Sequence, residues 1–170
     1  PDVVIGQFEI PQAVTAAGFA AGRERGATTI LNPAPAAPIA ANLLALSDWI
    51  VPNEIEFAML FGEEPSDNSI SRIAAETGTH IVVTLGESGV ALLATDGEIV
   101  RVPAPEVTAI DTTGAGDAFV GGFAYGIACR WDPVSAARLG VAIAADSVTR
   151  EGTQTSFPDN AKCRTLLEQT

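Results

Sequence analysis

The segment at residues 111–117, with the sequence DTTGAGD, is the part of the chain best suited to chemistry, and an apolar stretch follows it directly. Its glycines let the backbone turn tightly and approach a ligand, because they carry no Cβ atom. The helix that follows would present unpaired N–H groups and the positive end of its dipole, which together favour a bound phosphate. Asp117 adds a carboxylate there, which would repel a resting phosphate but could take a proton from an incoming hydroxyl. The pattern therefore indicates phosphoryl transfer.

A structural interpretation competes with the chemical one. A helix start with a glycine turn and a capping Asp would have the same appearance. The segment is not a Walker loop, because the Lys-Ser/Thr pair is missing, and it lacks the G-x-G-x-x-G spacing of dinucleotide-binding proteins. Taken alone, it leaves both interpretations open.

Strands and helices alternate through the first half of the chain. The pattern predicts strands at residues 3–5, 28–31, 48–51 and 81–84, and helices at residues 11–25, 54–61 and 69–77. Such alternation is typical of a parallel sheet with helices on both faces.

The second half of the chain changes character. Two apolar runs, 90–94 and 99–102, flank Thr95-Asp96-Gly97-Glu98, which predicts a hairpin and an antiparallel edge on the sheet. The Ala- and Gly-rich stretches 115–129 and 133–148 predict two closely packed, largely buried helices, and a short helix is expected at 159–168. With no repeat or linker, we expect one α/β domain over residues 1–170.

Composition excludes several classes of function. The chain is 47% hydrophobic and 18% charged, as in a well-packed domain, and its net charge of -12 argues against nucleic-acid binding. No apolar run approaches the roughly 20 residues of a membrane span, and the start lacks the basic region of a signal peptide. Cys129 and Cys163 have no metal-ligand spacing, and a domain of this size needs no disulfide. We expect a cytoplasmic protein without membrane partners.

Residues 111–117 resemble the C-terminal signature of the PfkB (ribokinase-like) carbohydrate kinase family. Four other segments resemble the ribokinase branch of this family and occur in the same order along the chain. They are residues 32–36 (NPAPA), 52–56 (PNEIE), 84–89 (TLGESG) and 148–156 (VTREGTQTS). The resemblance runs from residue 1 to about residue 168. It implies a three-layer α/β/α fold and an enzyme that uses ATP and Mg²⁺ to phosphorylate a sugar hydroxyl.

The resemblance also assigns roles at the start of the predicted helix. Asp117 becomes the base that deprotonates the acceptor hydroxyl and so contacts the substrate. The N–H groups of Gly114, Ala115, Gly116 and Asp117 form an anion hole for the transferred phosphoryl group, with Gly116 also touching the nucleotide.

Two other motifs are implied to bind the nucleotide. Asn53 and Glu56 match the family's Asn-x-x-Glu motif near the phosphates and metal, although the same pair could be a capping box. Thr84, Gly86 and Gly89 match a loop that touches the nucleotide beyond the end of a strand, although a strand-ending turn would look similar.

A monovalent cation site and a sugar contact complete the implied set. In the family, K⁺ is held by one carboxylate and several backbone carbonyls. The matching positions are Asp111, Thr113, Ser147, Arg150, Gly152 and Ser156. Glu9 matches a residue that contacts the sugar, with an exposed strand-end Glu as the alternative.

The acceptor and the completeness of the chain leave alternatives open. Glu9 and residues 32–36 favour ribose, while fructose, a nucleoside or a phosphosugar stay open as acceptors. The family's N-terminal half, with its glycine-rich sugar motif and lid sheet, has no counterpart here. We therefore expect catalysis to belong to a longer parent protein. Whether that parent forms a homodimer is left open. The alternative from another class is a nucleotide-binding module without turnover.

Overall fold

The computed structural model describes residues 1–94 and 96–169, which form a six-stranded sheet and seven helices. The strands are β1 (Val3–Gly6), β2 (Thr28–Leu31), β3 (Trp49–Ile50), β4 (His80–Thr84), β5 (Val90–Leu93) and β6 (Ile99–Val102). The helices are α1 (Gln12–Arg23), α2 (Ala41–Leu44), α3 (Glu54–Phe61), α4 (Asp67–Thr77), α5 (Ala115–Ala128), α6 (Pro133–Ser147) and α7 (Asn160–Glu168). Short 3₁₀ turns occupy Gly86–Ser88 and Gln154–Ser156.

The sheet has the strand order β1-β2-β3-β4-β5-β6, and its first four strands pair in parallel. The predicted α/β class with a mixed sheet is confirmed. The expected turn between β5 and β6 includes Thr95, which lies outside the described residues. On either side of it, the Ala94 N–H donates to the Glu98 carbonyl at 2.8 Å.

Helices α1 to α4 pack on one face of this sheet. Leu31 pairs in register with Ile50, and Ile50 with Ile81, so the three side chains share a face. The helical residues buried in the clusters around Leu31 and Ile81 are Ala16, Phe19, Leu43, Phe57, Ile70, Ile73 and Ala74. Ile30 and Val82, which alternate to the opposite face, are also fully buried. Each large buried side chain contributes about 1.5–3 kcal/mol to stability.

The ends of α3 and α4 are set by their flanking residues. Asn53 and Ser66 each begin a helix with a capping box, and Gly62 and Gly78 end the same helices in the left-handed conformation, with φ of 75° and 68°. Glycine suits these ends because the conformation crowds a Cβ atom. These caps explain why the predicted bounds of α3 are confirmed.

Small residues let α5 and α6 approach closely. A Cβ atom on Gly122 would lie 2.9 Å from the Cα of Gly140, and one on Gly126 would lie 2.7 Å from the Cα of Ala136. Any side chain at these glycines would push the helices apart. The prediction of two closely packed helices is confirmed.

The chain divides into two compact units. The N-terminal unit comprises Pro1–Leu85 and Ala91–Val100, and the C-terminal unit comprises the other described residues. The expectation of a single domain stays a prediction. Among the described residues, no helix combines the length and apolar character that a membrane crossing requires.

Candidate active site

The start of α5 lies in the C-terminal unit and carries the predicted catalytic residues. Gly114 is its N-cap residue, with φ of 81° and ψ of 2°, so no cap side chain covers this helix end. Asp117 is the third helical residue and is exposed, as is Gly116. The Ala115 N–H donates to the Thr112 carbonyl at 3.2 Å, so it would have to share this bond with any phosphoryl oxygen. The positive end of the α5 dipole and a carboxylate therefore lie together at the surface.

Asp111 ties the turn before α5 to a distant loop. One carboxylate oxygen accepts the Thr113 N–H and the other accepts the Gly152 N–H, each at 2.9 Å. Hydrogen bonds hold the pKa of Asp111 below its ordinary value. The largest contribution comes from the side chain of Thr113, and smaller ones come from the backbone N–H groups of Thr113 and Gly152. The ionised carboxylate thus bridges two segments that are 41 residues apart in sequence.

The residues expected to hold a monovalent cation all belong to the C-terminal unit, and three of them meet at this bridge. The structure brings Asp111, Thr113 and Gly152 together, and it buries Ser147 and Ser156 in the same unit. An ionised carboxylate and backbone carbonyls are the kinds of oxygen donor that suit K⁺. The residues present therefore fit such an ion.

Arg150 also contacts this loop through its side chain. Its Nε and Nη2 atoms donate to the Ser156 carbonyl at 3.1 Å and 2.6 Å. That carbonyl oxygen is therefore already engaged, so a cation contact from Ser156 would fall to its hydroxyl. The hydroxyl itself donates to the Thr153 carbonyl at 2.7 Å and keeps its oxygen lone pairs.

The predicted nucleotide and sugar residues of the N-terminal unit lie at the carboxyl ends of parallel strands. Asn53 follows β3 and forms an isolated parallel bridge with Thr84, the last residue of β4. Glu9 is exposed in the bend after β1, and its neighbour Phe8 donates its N–H to the Ala34 carbonyl at 2.9 Å. Ligands of open parallel sheets bind beyond this edge.

Asn53 and Glu56 form the capping box that their spacing allowed. The Asn53 Oδ1 accepts the Glu56 N–H, and the Glu56 Oε2 accepts the Asn53 N–H, both at 2.8 Å. The structural interpretation of this pair is confirmed. The cap uses only the oxygen of the Asn53 amide, so its NH₂ group is the part suited to a phosphate oxygen.

Gly86 and Gly89 form a tight turn after β4, in the C-terminal unit. The Gly89 N–H donates to the Gly86 carbonyl at 3.1 Å, and a Cβ on Gly89 would lie 2.0 Å from the Val102 carbonyl oxygen. Only glycine fits at position 89, so the geometry of the turn is sufficient to explain why Gly89 is a glycine. The contact with a nucleotide stays a prediction.

A cavity of about 390 Å³ opens beside Asp117 within the C-terminal unit. Its walls include Tyr125, Phe157, Cys163 and Leu167, and they are mainly apolar. Such walls offer few partners for sugar hydroxyls, so this cavity is not where we place the polar contacts of an acceptor.

Sequence reasoning missed one cluster of charged side chains. The Asp146 carboxylate, whose side chain is 11% exposed, forms an ion pair with Arg150 and a second with Lys162 at 3.4 Å. The i,i+4 spacing of Asp146 and Arg150 was the available signal.

Known carbohydrate kinases resemble the chain over nearly all of its length. A family model described as pfkB family carbohydrate kinase matches residues 4–160. A deoxyribokinase of Salmonella typhi is 36% identical over 162 residues, which cover 92% of this chain and 53% of that protein. A ribokinase of Haemophilus influenzae is 35% identical over 173 residues, which cover 98% of this chain and 56% of that protein.

Solved structures agree with this result. The ribokinase of Thermotoga maritima superposes with a TM-score of 0.85 at 33% identity and covers 98% of this chain and 57% of its own. The Arabidopsis thaliana ribokinase, complexed with ribose and ATP, gives a TM-score of 0.89 at 29% identity, covering 98% and 56%. The chain spans about half the length of these relatives. A family match of this extent shows that the chain belongs to the pfkB family of carbohydrate kinases.

Proposed function

We propose that the whole protein transfers the γ-phosphoryl group of ATP to a hydroxyl of a sugar, with ribose as the principal acceptor. The observation that carries the proposal is the start of α5, where an exposed Asp117 stands in the first turn behind a left-handed glycine cap. Membership of the pfkB family, and relatives named ribokinase and deoxyribokinase, support it.

In this proposal, Asp117 takes the proton of the attacking hydroxyl as its oxygen bonds to the γ-phosphorus, the bond from that phosphorus to the β,γ-bridging oxygen breaks, and ADP leaves. Such a base typically contributes about 10²–10⁴ in rate. The N–H groups of residues 114–117 stabilise charge on the phosphoryl oxygens, and losing one donor of this kind typically costs about 10²–10³ in turnover. The two contributions require one helix start to be both open and rigid.

In this scheme, Asn53, Thr84, Gly86 and Gly89 are the candidate nucleotide contacts. Asn53 and Thr84 lie side by side at the ends of β3 and β4, where the phosphates of ATP would bind. Mg²⁺, when bound with ATP, neutralises phosphate charge, and Glu56 is our candidate to hold it through water. Gly86 and Gly89 shape the turn that follows β4, and Glu9 is assigned to the sugar.

A monovalent cation is part of the same proposal. Asp111 would hold it together with the carbonyls of Thr113, Ser147, Arg150 and Gly152 and the Ser156 hydroxyl. The ion would keep the two loops that Asp111 joins in one arrangement. Turnover should therefore be higher in potassium than in sodium or a bulky organic cation, and equal rates in all three would remove the cation from the scheme.

The activity is tested by product analysis with the purified protein. ATP is supplied with ribose, deoxyribose, fructose, a nucleoside or a phosphosugar, and new phosphate esters are identified by ³¹P NMR. We expect a ribose phosphate ester as the main product. The proposal fails if ATP binds but no acceptor is phosphorylated, which would favour a nucleotide-binding module, or if calorimetry shows NAD binding in place of ATP.

A further inference from the structure

The guanidinium of Arg150 closes the loop that follows α6. Two of its nitrogens donate to the carbonyl of Ser156, six residues further on, at 3.1 Å and 2.6 Å. The third, Nη1, donates to the Thr149 hydroxyl at 3.3 Å, and Nη2 is also paired with the largely buried Asp146. A planar fork held on both sides in this way fixes the ends of the loop relative to each other.

The closed loop contacts the turn before α5 at two points. Gly152, inside the loop, donates its N–H to Asp111, which in turn accepts the Thr113 N–H. A Cβ atom on Gly114 would lie only 3.6 Å from the Cα of Thr153 and 3.4 Å from the ring of Phe157. The loop is therefore hydrogen-bonded to the turn before α5 and lies close beside its N-cap residue.

We propose that Arg150 is a positioning residue for phosphoryl transfer: its side chain holds the loop 150–156 closed, and the loop holds the anion-hole turn in place. This inference rests on the proposed function of that turn. It assigns a role to the guanidinium itself, separate from the backbone carbonyl that could face a cation. A displacement of reacting groups by about 1 Å can cost up to about 10² in rate, so a support of this kind affects turnover from a distance.

Lys162 provides the matched control. It pairs with the same carboxylate, Asp146, at 3.4 Å, and its side chain is about as exposed as that of Arg150, at 49% against 42%. Among the described contacts it has none to the Ser156 carbonyl. Lys162→Gln thus removes one cation from the cluster and leaves the loop closed.

The experiment compares Arg150→Gln with Lys162→Gln in the purified protein, using two readouts. For Arg150→Gln we expect kcat to fall by about tenfold to a hundredfold, with the KM for the sugar nearly unchanged, because the turn acts in the transition state. The Gly152 and Thr113 amides should exchange with solvent about tenfold faster in this variant, as measured by NMR. Lys162→Gln should leave both quantities near those of the unchanged protein.

Either of two results would overturn the inference: unchanged kcat and amide exchange in Arg150→Gln, or equal losses in the two variants. If Arg150→Gln does not fold, Arg150→Lys replaces it, since Lys keeps a charge near Asp146 but lacks the fork, and the same losses are expected in smaller measure. If the unchanged protein phosphorylates no acceptor, the proposed function fails. The amide exchange of Gly152 and Thr113 then still decides whether Arg150 holds the loop.

Discussion

Two helix starts in this molecule are built in opposite ways. The start of α3 is closed by its own side chains, because Asn53 and Glu56 each bond to the other's backbone N–H. The start of α5 has Gly114 as its N-cap residue and is held from outside, by Asp111 and the loop that contains Gly152. A capping box provides hydrogen-bond acceptors for the N–H groups at its own helix start, whereas the glycine start leaves room for a ligand to approach those groups.

The difference shows why the second start depends on distant residues. A capping box is local, so the geometry of α3 needs only four consecutive residues. The turn at 111–114 is bonded to segments far along the chain: Asp111 accepts the Gly152 N–H, and the Asp111 N–H donates to the Val148 carbonyl at 3.2 Å, beside the bond that Ile110 donates to the same carbonyl at 2.7 Å. The candidate catalytic turn is therefore more sensitive to remote substitutions than the capped helix is.

The largest effect on this comparison is expected from Gly114→Ala. Gly114 has φ of 81°, where a side chain costs about 1–2 kcal/mol, and a Cβ there would be in van der Waals contact with Phe157 at 3.4 Å. We expect turnover to fall by about 10² as the donors of the turn shift. Gly78→Ala is the control, since Gly78 has φ of 68° and open space around it. Gly78→Ala should lower the free energy of unfolding in urea by a similar amount and leave turnover unchanged. Equal turnover in the two variants would contradict the role of the α5 start.

A moderate effect is expected from Asn53→Ala. Loss of the cap should lower the free energy of unfolding by about 1 kcal/mol, and loss of the amide should also raise the KM for ATP. Ser66→Ala removes the equivalent capping box of α4, where no nucleotide contact is proposed. It should destabilise the protein similarly and leave the KM for ATP unchanged. If both variants show the same KM, Asn53 is only a cap.

The smallest effect is a pH dependence at Asp111. Its folded pKa is lowered, so the carboxylate contributes stability above its unfolded pKa of about 3.9, and this contribution is lost as the pH falls through the folded pKa. Asp111→Asn should therefore be less stable than the unchanged protein near neutral pH. The gap in urea midpoints should narrow as the pH drops below about 4. A gap that is constant with pH would mean that the charge of Asp111 is unimportant.

Local patterns predicted most of the secondary structure. The β-branched run at 81–84 and the Asn and Gly that flank α3 fix their elements by short-range chemistry, and the bounds of β2 and α3 were as expected. Helix α2 was not predicted, because it has only four residues and lacks a side-chain cap. The 3₁₀ turn at Gln154–Ser156 was missed as well, since it forms inside an irregular loop.

The candidate site was only partly predictable. The glycine turn and Asp117 are contiguous in sequence, so their pattern is visible in the chain itself. The bond from Gly152 to Asp111 spans 41 residues and depends on how α6 packs, which no local pattern encodes. The contact of Arg150 with the Ser156 carbonyl likewise depends on the path of the loop. Backbone acceptors place no constraint on residue type, so such contacts leave little trace in a sequence.

The most direct test of the account is the turnover of Asp117→Asn beside that of Asp132→Asn. Both remove a carboxylate from a helix start, but Asp132 only caps α6, where it accepts the Val134 and Ser135 N–H groups at 3.1 Å and 3.0 Å, a role that Asn can also fill. With ATP and the preferred sugar, Asp117→Asn should lower kcat by about 10² or more while ATP binds at least as tightly. Asp132→Asn should stay near the unchanged rate. A kcat for Asp117→Asn within a few-fold of the unchanged protein would contradict the catalytic assignment.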